Sequence, residues 1–168
     1  MENKIENKME SETPIKVYIV AGGDSVGKTC AIRHICGLKL NKVDIEDIYS
    51  LKLNNGTTIN TYCNSKSLQE AGIQPIDVQK HVNNIAKTAG KTYSAVIVAL
   101  RTDKYKNMPE AIDYMNAFVG FGWQIEKVIE LVGCLRKHCR KKQYPYQSFQ
   151  PIPTKKQVSN NVKTFFGF

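Results

Sequence analysis

The sequence predicts an α/β fold: a mostly parallel six-stranded sheet in a three-layer sandwich, with helices on both faces and one antiparallel edge strand. Three observations predict it. Short β-branched apolar runs alternate with segments of helical spacing from residue 15 onward, and that alternation builds parallel sheets covered on both sides. The run at 93–100, YSAVIVAL, is almost continuously apolar, as a strand buried on both faces must be. Asn54-Asn55-Gly56 separates two strand-like runs and signals a hairpin, because Asn and Gly accept the backbone angles of a tight turn.

The elements follow in order. Residues 1–13 are polar and charged and read as a flexible tail; Pro14 opens a single domain spanning 14–168. Ile15, Val17, Tyr18, Ile19, Val20 and Ala21 form the first strand, and 30–38 is helix-compatible. A strand at 48–53, the hairpin turn and a threonine-rich strand at 57–63 come next. Asn64-Ser65-Lys66-Ser67 is polar and turn-prone. Residues 77–89 place Val78, Val82, Ile85 and Ala86 on one helix face, and Gly90 ends that helix. After the buried strand, Pro109 suits the first turn of a helix running through Ile112, Met115 and Phe118, which Gly120 and Gly122 break. A buried strand at 125–132, a basic segment, a last strand at 148–152 and a closing helix at 158–166 complete the chain.

One motif carries chemistry. Gly22-Gly23-Asp24-Ser25-Val26-Gly27-Lys28-Thr29 fits G-x-x-x-x-G-K-[ST] at every fixed position, between the first strand and the first helix. Glycines let backbone N–H groups close on phosphate oxygens, and the helix N-terminus adds its free amides and partial positive charge. The phosphate-binding residues are therefore Gly22, Asp24, Ser25, Val26, Gly27, Lys28, Thr29 and Cys30. Lys28 would reach the β- and γ-phosphates, and the Thr29 hydroxyl would hold Mg²⁺.

Charge is unevenly placed. The net charge is +9, and after Glu130 no acidic residue follows while eight Lys and Arg do, leaving +1 for the rest. The densest part, Arg136 to Lys142, reads as a solvated face or as a contact for an anionic surface. Nucleic acid is not the expected partner, since no aromatic platform interleaves with these charges. Five cysteines without a CxxC pair read as reduced thiols, and no apolar run approaches the roughly 18 residues of a membrane span. Cys134, His138 and Cys139 lack the second ligand pair of a zinc site. With no secretory signal and no lipidation motif at either end, the expected setting is cytoplasmic.

The phosphate loop at the first turn, followed by a helix and then a hairpin, resembles the Ras-like small GTPases over about residues 13–168. Residues 45–49 look like the segment that meets effectors, 93–100 like the fourth strand, 128–133 like the fifth, and Pro153-Thr154-Lys155 like the last guanine-contacting loop. The resemblance implies a P-loop NTPase fold, GTP or GDP with Mg²⁺ as ligands, Thr154 and Lys155 beside the base, and a protein partner along Asp44 to Tyr49. Two of the family's motifs are degenerate here. Asn64-Ser65-Lys66-Ser67 stands where D-x-x-G would support Mg²⁺ and sense the γ-phosphate. Cys134-Leu135-Arg136-Lys137 stands where N-K-x-D would read guanine, and lysine cannot accept the hydrogen bonds that the carboxylate does. A literal Asn41-Lys42-Val43-Asp44 has no buried strand ahead of it. Aligning Ile45-Glu46-Asp47 with the effector segment puts Asp44 where the family's switch threonine would meet the metal. Gln69 is the candidate water-positioning residue.

The resulting expectation is a divergent GTPase-like switch or signalling and trafficking adaptor that binds a purine nucleotide, GTP preferred, with slow or absent hydrolysis. Two alternatives remain open: an interaction module with structural nucleotide or none, and a P-loop nucleotide kinase, for which Arg101-Thr102-Asp103 is a local hint.

Overall fold

A computed structural model describes residues 13–132, 134–149 and 154–168. Residues 1–12 of the expected tail at 1–13 and the end of the expected last strand, 150–152, lie outside the described residues. Among the described residues six strands, β1 (Lys16–Gly22), β2 (Glu46–Lys52), β3 (Thr58–Ser67), β4 (Ala95–Arg101), β5 (Gln124–Leu131) and β6 (Tyr146–Phe149), form one sheet in the order β2-β3-β4-β1-β5-β6. The β2–β3 hairpin is antiparallel and puts β2 at an edge; the other pairings are parallel. Five helices, α1 (Lys28–Ile35), α2 (Val78–Ala89), α3 (Ala111–Gly120), α4 (Arg136–Lys142) and α5 (Lys155–Phe166), connect them, with a 3₁₀ turn at Pro75–Asp77.

The central strands feed both faces because successive side chains point to opposite sides. Val17, Ile19 and Ala21 of β1, with Val96, Val98 and Leu100 of β4, pack under Val78, Val82, Tyr114, Met115 and Phe118 of α2 and α3. Tyr18 and Val20, with Ile97 and Ala99, pack under Ala31, Ile32, Val158, Val162 and Phe166 of α1 and α5. Burying each large side chain in these layers stabilises the fold by about 1.5–3 kcal/mol. Among the described residues no helix is long and apolar enough to cross a membrane.

One expectation needs correction. The turn-prone stretch 64–67 is strand, the continuation of β3. Asn64 still pairs with Glu46 of β2, and after a bulge Ser67 pairs with Ala99 of β4. The side chains of Asn64, Ser65 and Ser67 are buried yet satisfied, with Lys66 exposed: Ser65 Oγ accepts from Ile45 N at 2.8 Å, and Ser67 Oγ donates to Glu70 at 2.7 Å. Tertiary hydrogen bonds thus override the local turn preference. The basic segment is helix α4, held by Cys139 and the preceding Leu135, both buried in the core.

Strand order positions the site. β4 lies between β1 and β3, so the end of β3 stands two strand spacings, roughly 9–10 Å, from β1 in the plane of the sheet. It reaches the phosphate loop over the first turn of α1.

Candidate functional site

β1 ends at Gly22, the first glycine of the phosphate loop. A Cβ there would lie 2.6 Å from Val26 Cγ2 and 2.7 Å from the Leu131 carbonyl, so no larger residue fits without moving β5 or the loop. The loop then turns through positive φ at Ser25 (54°) and Gly27 (103°). Such turns aim successive backbone N–H groups into one concavity, a setting suited to an anion. Gly27 leads directly into α1, whose first residues are Lys28 and Thr29.

Around this loop lies a solvent-open cleft of ≈ 140 Å³, lined by residues 24–30 together with Lys42, Ser65, Glu70 and Lys155. Every phosphate-binding residue predicted from 24 to 30 borders it, Cys30 included, whose thiol donates to the Asn41 carbonyl at 3.4 Å. Lys28 is 7% exposed, and its ammonium donates to the Gly22 carbonyl at 3.2 Å and to that of Gly23. Burial lowers its pKa, while the nearby Glu70 carboxylate works against that shift. Lys155 opens α5 and also lines the cleft, whereas Thr154 caps that helix, accepting from Gln157 N at 3.4 Å.

Gln69 is not where the sequence expectation put it. It is 2% exposed; its Nε2 donates to the Arg101 carbonyl at 3.0 Å, and Oε1 accepts from Arg101 N at 3.1 Å. With both ends of the amide committed to β4, it does not border the cleft. The next residue, Glu70, does. Its carboxylate holds the Arg101 guanidinium at 2.8 Å and the Ser67 hydroxyl at 2.7 Å. Arg101 is also paired with Asp103, which holds the Asp103 carboxyl below its usual range. Asp103 adjoins Gly23, so the Arg101-Thr102-Asp103 segment stands beside the loop at 22–29.

Asn64 also points away. Its Nδ2 donates to Glu46 and to the Tyr62 hydroxyl, both at 3.2 Å, and its Oδ1 accepts from Lys66 N at 3.0 Å. Strand alternation turns its neighbour Ser65 toward α1 instead, where the Ser65 carbonyl lies 3.2 Å from Thr29 Oγ1. Asp44, reached by the loop that follows α1, brings Oδ1 within 3.3 Å of the same hydroxyl. The segment containing Asn41 to Asp44 thus borders the cleft through Lys42 and meets its wall where Asp44 contacts Thr29.

Glu70 was missed because neighbouring residues on a chain carry no sign of which one faces a cleft. Lys42 and Ser65 were missed because each is brought in from another element. Near the end of β5, Glu130 is fully buried and accepts from Leu135 N at 3.0 and 3.1 Å and from the Tyr146 hydroxyl at 2.6 Å. It is thereby committed to the core.

The fold and site define an α/β protein with a phosphate loop between β1 and α1. No family model matches the chain, and no characterised protein matches it by sequence. Among solved structures it is similar to the Zn(II)-bound YjiA GTPase from E. coli, with 15% identity, TM-score 0.42, and coverage of 89% of this chain and 54% of that one. It is also similar to a Zn(II)-bound triple mutant of YjiA GTPase, with 13% identity, TM-score 0.32, and coverage of 91% and 63%. The chain therefore spans less than two thirds of either structure.

Proposed function

We propose that this chain binds a purine nucleoside di- or triphosphate with Mg²⁺, GTP preferred, and acts as a switch or adaptor with slow or absent hydrolysis. The observation that carries the reading is the loop itself: Gly22 packed too closely for a side chain, positive φ at Ser25 and Gly27, and Lys28 and Thr29 opening one cleft. Backbone amides and Lys28 would hold the phosphates, and Thr29 would hold the metal, which neutralises phosphate charge when bound. Lys155 would stand on the base side of the cleft, with Thr154 fixing its helix. The preference for guanine rests on the resemblance to Ras-like GTPases, and an edge strand β2 suits a protein partner along Asp44 to Tyr49. The basic face of α4 would meet an anionic surface.

Slow hydrolysis is supported by the commitment of Gln69 to the Arg101 backbone, because phosphoryl transfer depends on positioning as well as charge stabilisation, and this amide would not orient the attacking water. The same observation favours, as a second reading, an interaction module whose nucleotide is structural.

Mass spectrometry of nucleotide released from purified protein, with titration by GTP, GDP and ATP in Mg²⁺, tests the proposal. Binding tighter than millimolar that Lys28→Ala abolishes is the expected result. An affinity unchanged in Lys28→Ala, or no affinity for any of the three, overturns it. Phosphoryl transfer to a nucleoside monophosphate would replace it with a kinase.

A further inference from the structure

Resting on that reading, we infer that Asp44 supplies the carboxylate of the Mg²⁺ site beside Thr29, in the role that Asn64 has vacated. Three oxygens from three elements converge. Thr29 Oγ1 lies 3.3 Å from Asp44 Oδ1 and 3.2 Å from the Ser65 carbonyl, so its one proton serves two acceptors. Ser65 Oγ stands 3.5 Å from the same Asp44 oxygen. Such an all-oxygen donor set, with one carboxylate, suits a hard divalent cation.

The backbone fixes Asp44 there. Ile45 exchanges hydrogen bonds with Ser65: its N–H donates to Ser65 Oγ at 2.8 Å and its carbonyl accepts from Ser65 N at 3.0 Å. Asp44 is the residue just before that clamp, at the open end of the β2–β3 hairpin. Asn64 serves the other face of the sheet, tied to Glu46 and Tyr62, and carries no charge. A carboxylate from the loop after α1 thus replaces one from the end of β3.

The inference makes a two-signed prediction. With metal present, Asp44 holds the cation; without it, the same charge repels phosphate. GDP affinity of the full chain, measured by calorimetry in Mg²⁺ and again in EDTA, reads both. Asp44→Asn is expected to weaken GDP binding about 10–100-fold in Mg²⁺ and to strengthen it in EDTA. Electron paramagnetic resonance with Mn²⁺ and GDP is expected to show one bound Mn²⁺ in the wild type and none in Asp44→Asn. Asp44 is exposed, so this variant is expected to fold. A wild-type metal dependence in Asp44→Asn overturns the inference and leaves nucleotide binding standing, as does a metal affinity raised by Asn64→Asp. A wild type that binds none of GDP, GTP and ATP overturns both.

Discussion

Gln69 and Arg101 lock two segments together through the backbone: the Gln69 amide donates to the Arg101 carbonyl at 3.0 Å and accepts from its N–H at 3.1 Å. The pair fixes the segment after β3 to the end of β4. Gln69→Ala would leave both Arg101 groups without that partner, and an unmade buried hydrogen bond costs about 1–3 kcal/mol. Urea denaturation is expected to show a loss of that size, with GDP affinity changed less than about twofold, since no step at the cleft uses the amide. A large loss of affinity at unchanged stability would return Gln69 to the site.

Gly22 tests the close approach of the phosphate loop to β5. Gly22→Ala would set a methyl 2.7 Å from the Leu131 carbonyl, and a backbone atom does not swing aside as a side-chain tip would. Overpacking of this kind costs about 1–3 kcal/mol. The expected outcome is a lowered melting temperature together with loss of nucleotide affinity. Gly23→Ala, whose Cβ meets nothing nearer than Asp103 at 3.9 Å, is expected to cost much less.

Val132 carries a φ of 62°, and it is 39% exposed. A left-handed backbone costs an ordinary L-residue about 1–2 kcal/mol, and asparagine tolerates it better. Val132→Asn is therefore expected to stabilise the chain by about 1 kcal/mol in urea denaturation. A destabilised variant would mean that the valine side chain makes a contact worth more than the strain.

His138 sits on α4 with Nε2 buried and without a hydrogen-bond partner. Burial holds its pKa below the ordinary 6.5, and Lys142 and Lys141 add to the shift. Above 6.5 the imidazole is neutral in both folded and unfolded chains and contributes nothing to pH dependence. As pH falls below that value the unfolded chain takes up the proton first, so stability declines, and the loss levels off below the folded value. Urea midpoints at roughly pH 8 and pH 5 are expected to differ less in His138→Phe than in the wild type. Equal differences would show that His138 protonates freely in the folded chain.

Much of this architecture was legible in the chain because local pattern and tertiary role agree. The run at 93–100 is apolar enough to be read as a doubly buried strand, Asn55-Gly56 marks the hairpin, and Gly22 to Thr29 carries its own geometric requirements. Three features were not legible. The residues Asn64 to Ser67 look like a turn, and only partners distant in sequence, Ile45, Glu46 and Glu70, make them a strand. Which of Gln69 and Glu70 faces the cleft depends on the path of the chain after the bulge in β3. The insertion of β4 between β1 and β3 is a matter of which strands meet, and hydrophobic periodicity carries no record of that.

The hairpin turn is tied to the chain just past the end of α5, where Asn54 N donates to the Gly167 carbonyl at 2.8 Å, and Leu53 and Ile59 beside it pack against the core. At the opposite end of the same hairpin β3 is paired with β4 from Thr61 to Ser67, so the Ser65 oxygen beside Thr29 rides on the body of the sheet, and of the two hairpin strands only β2 is left as an edge.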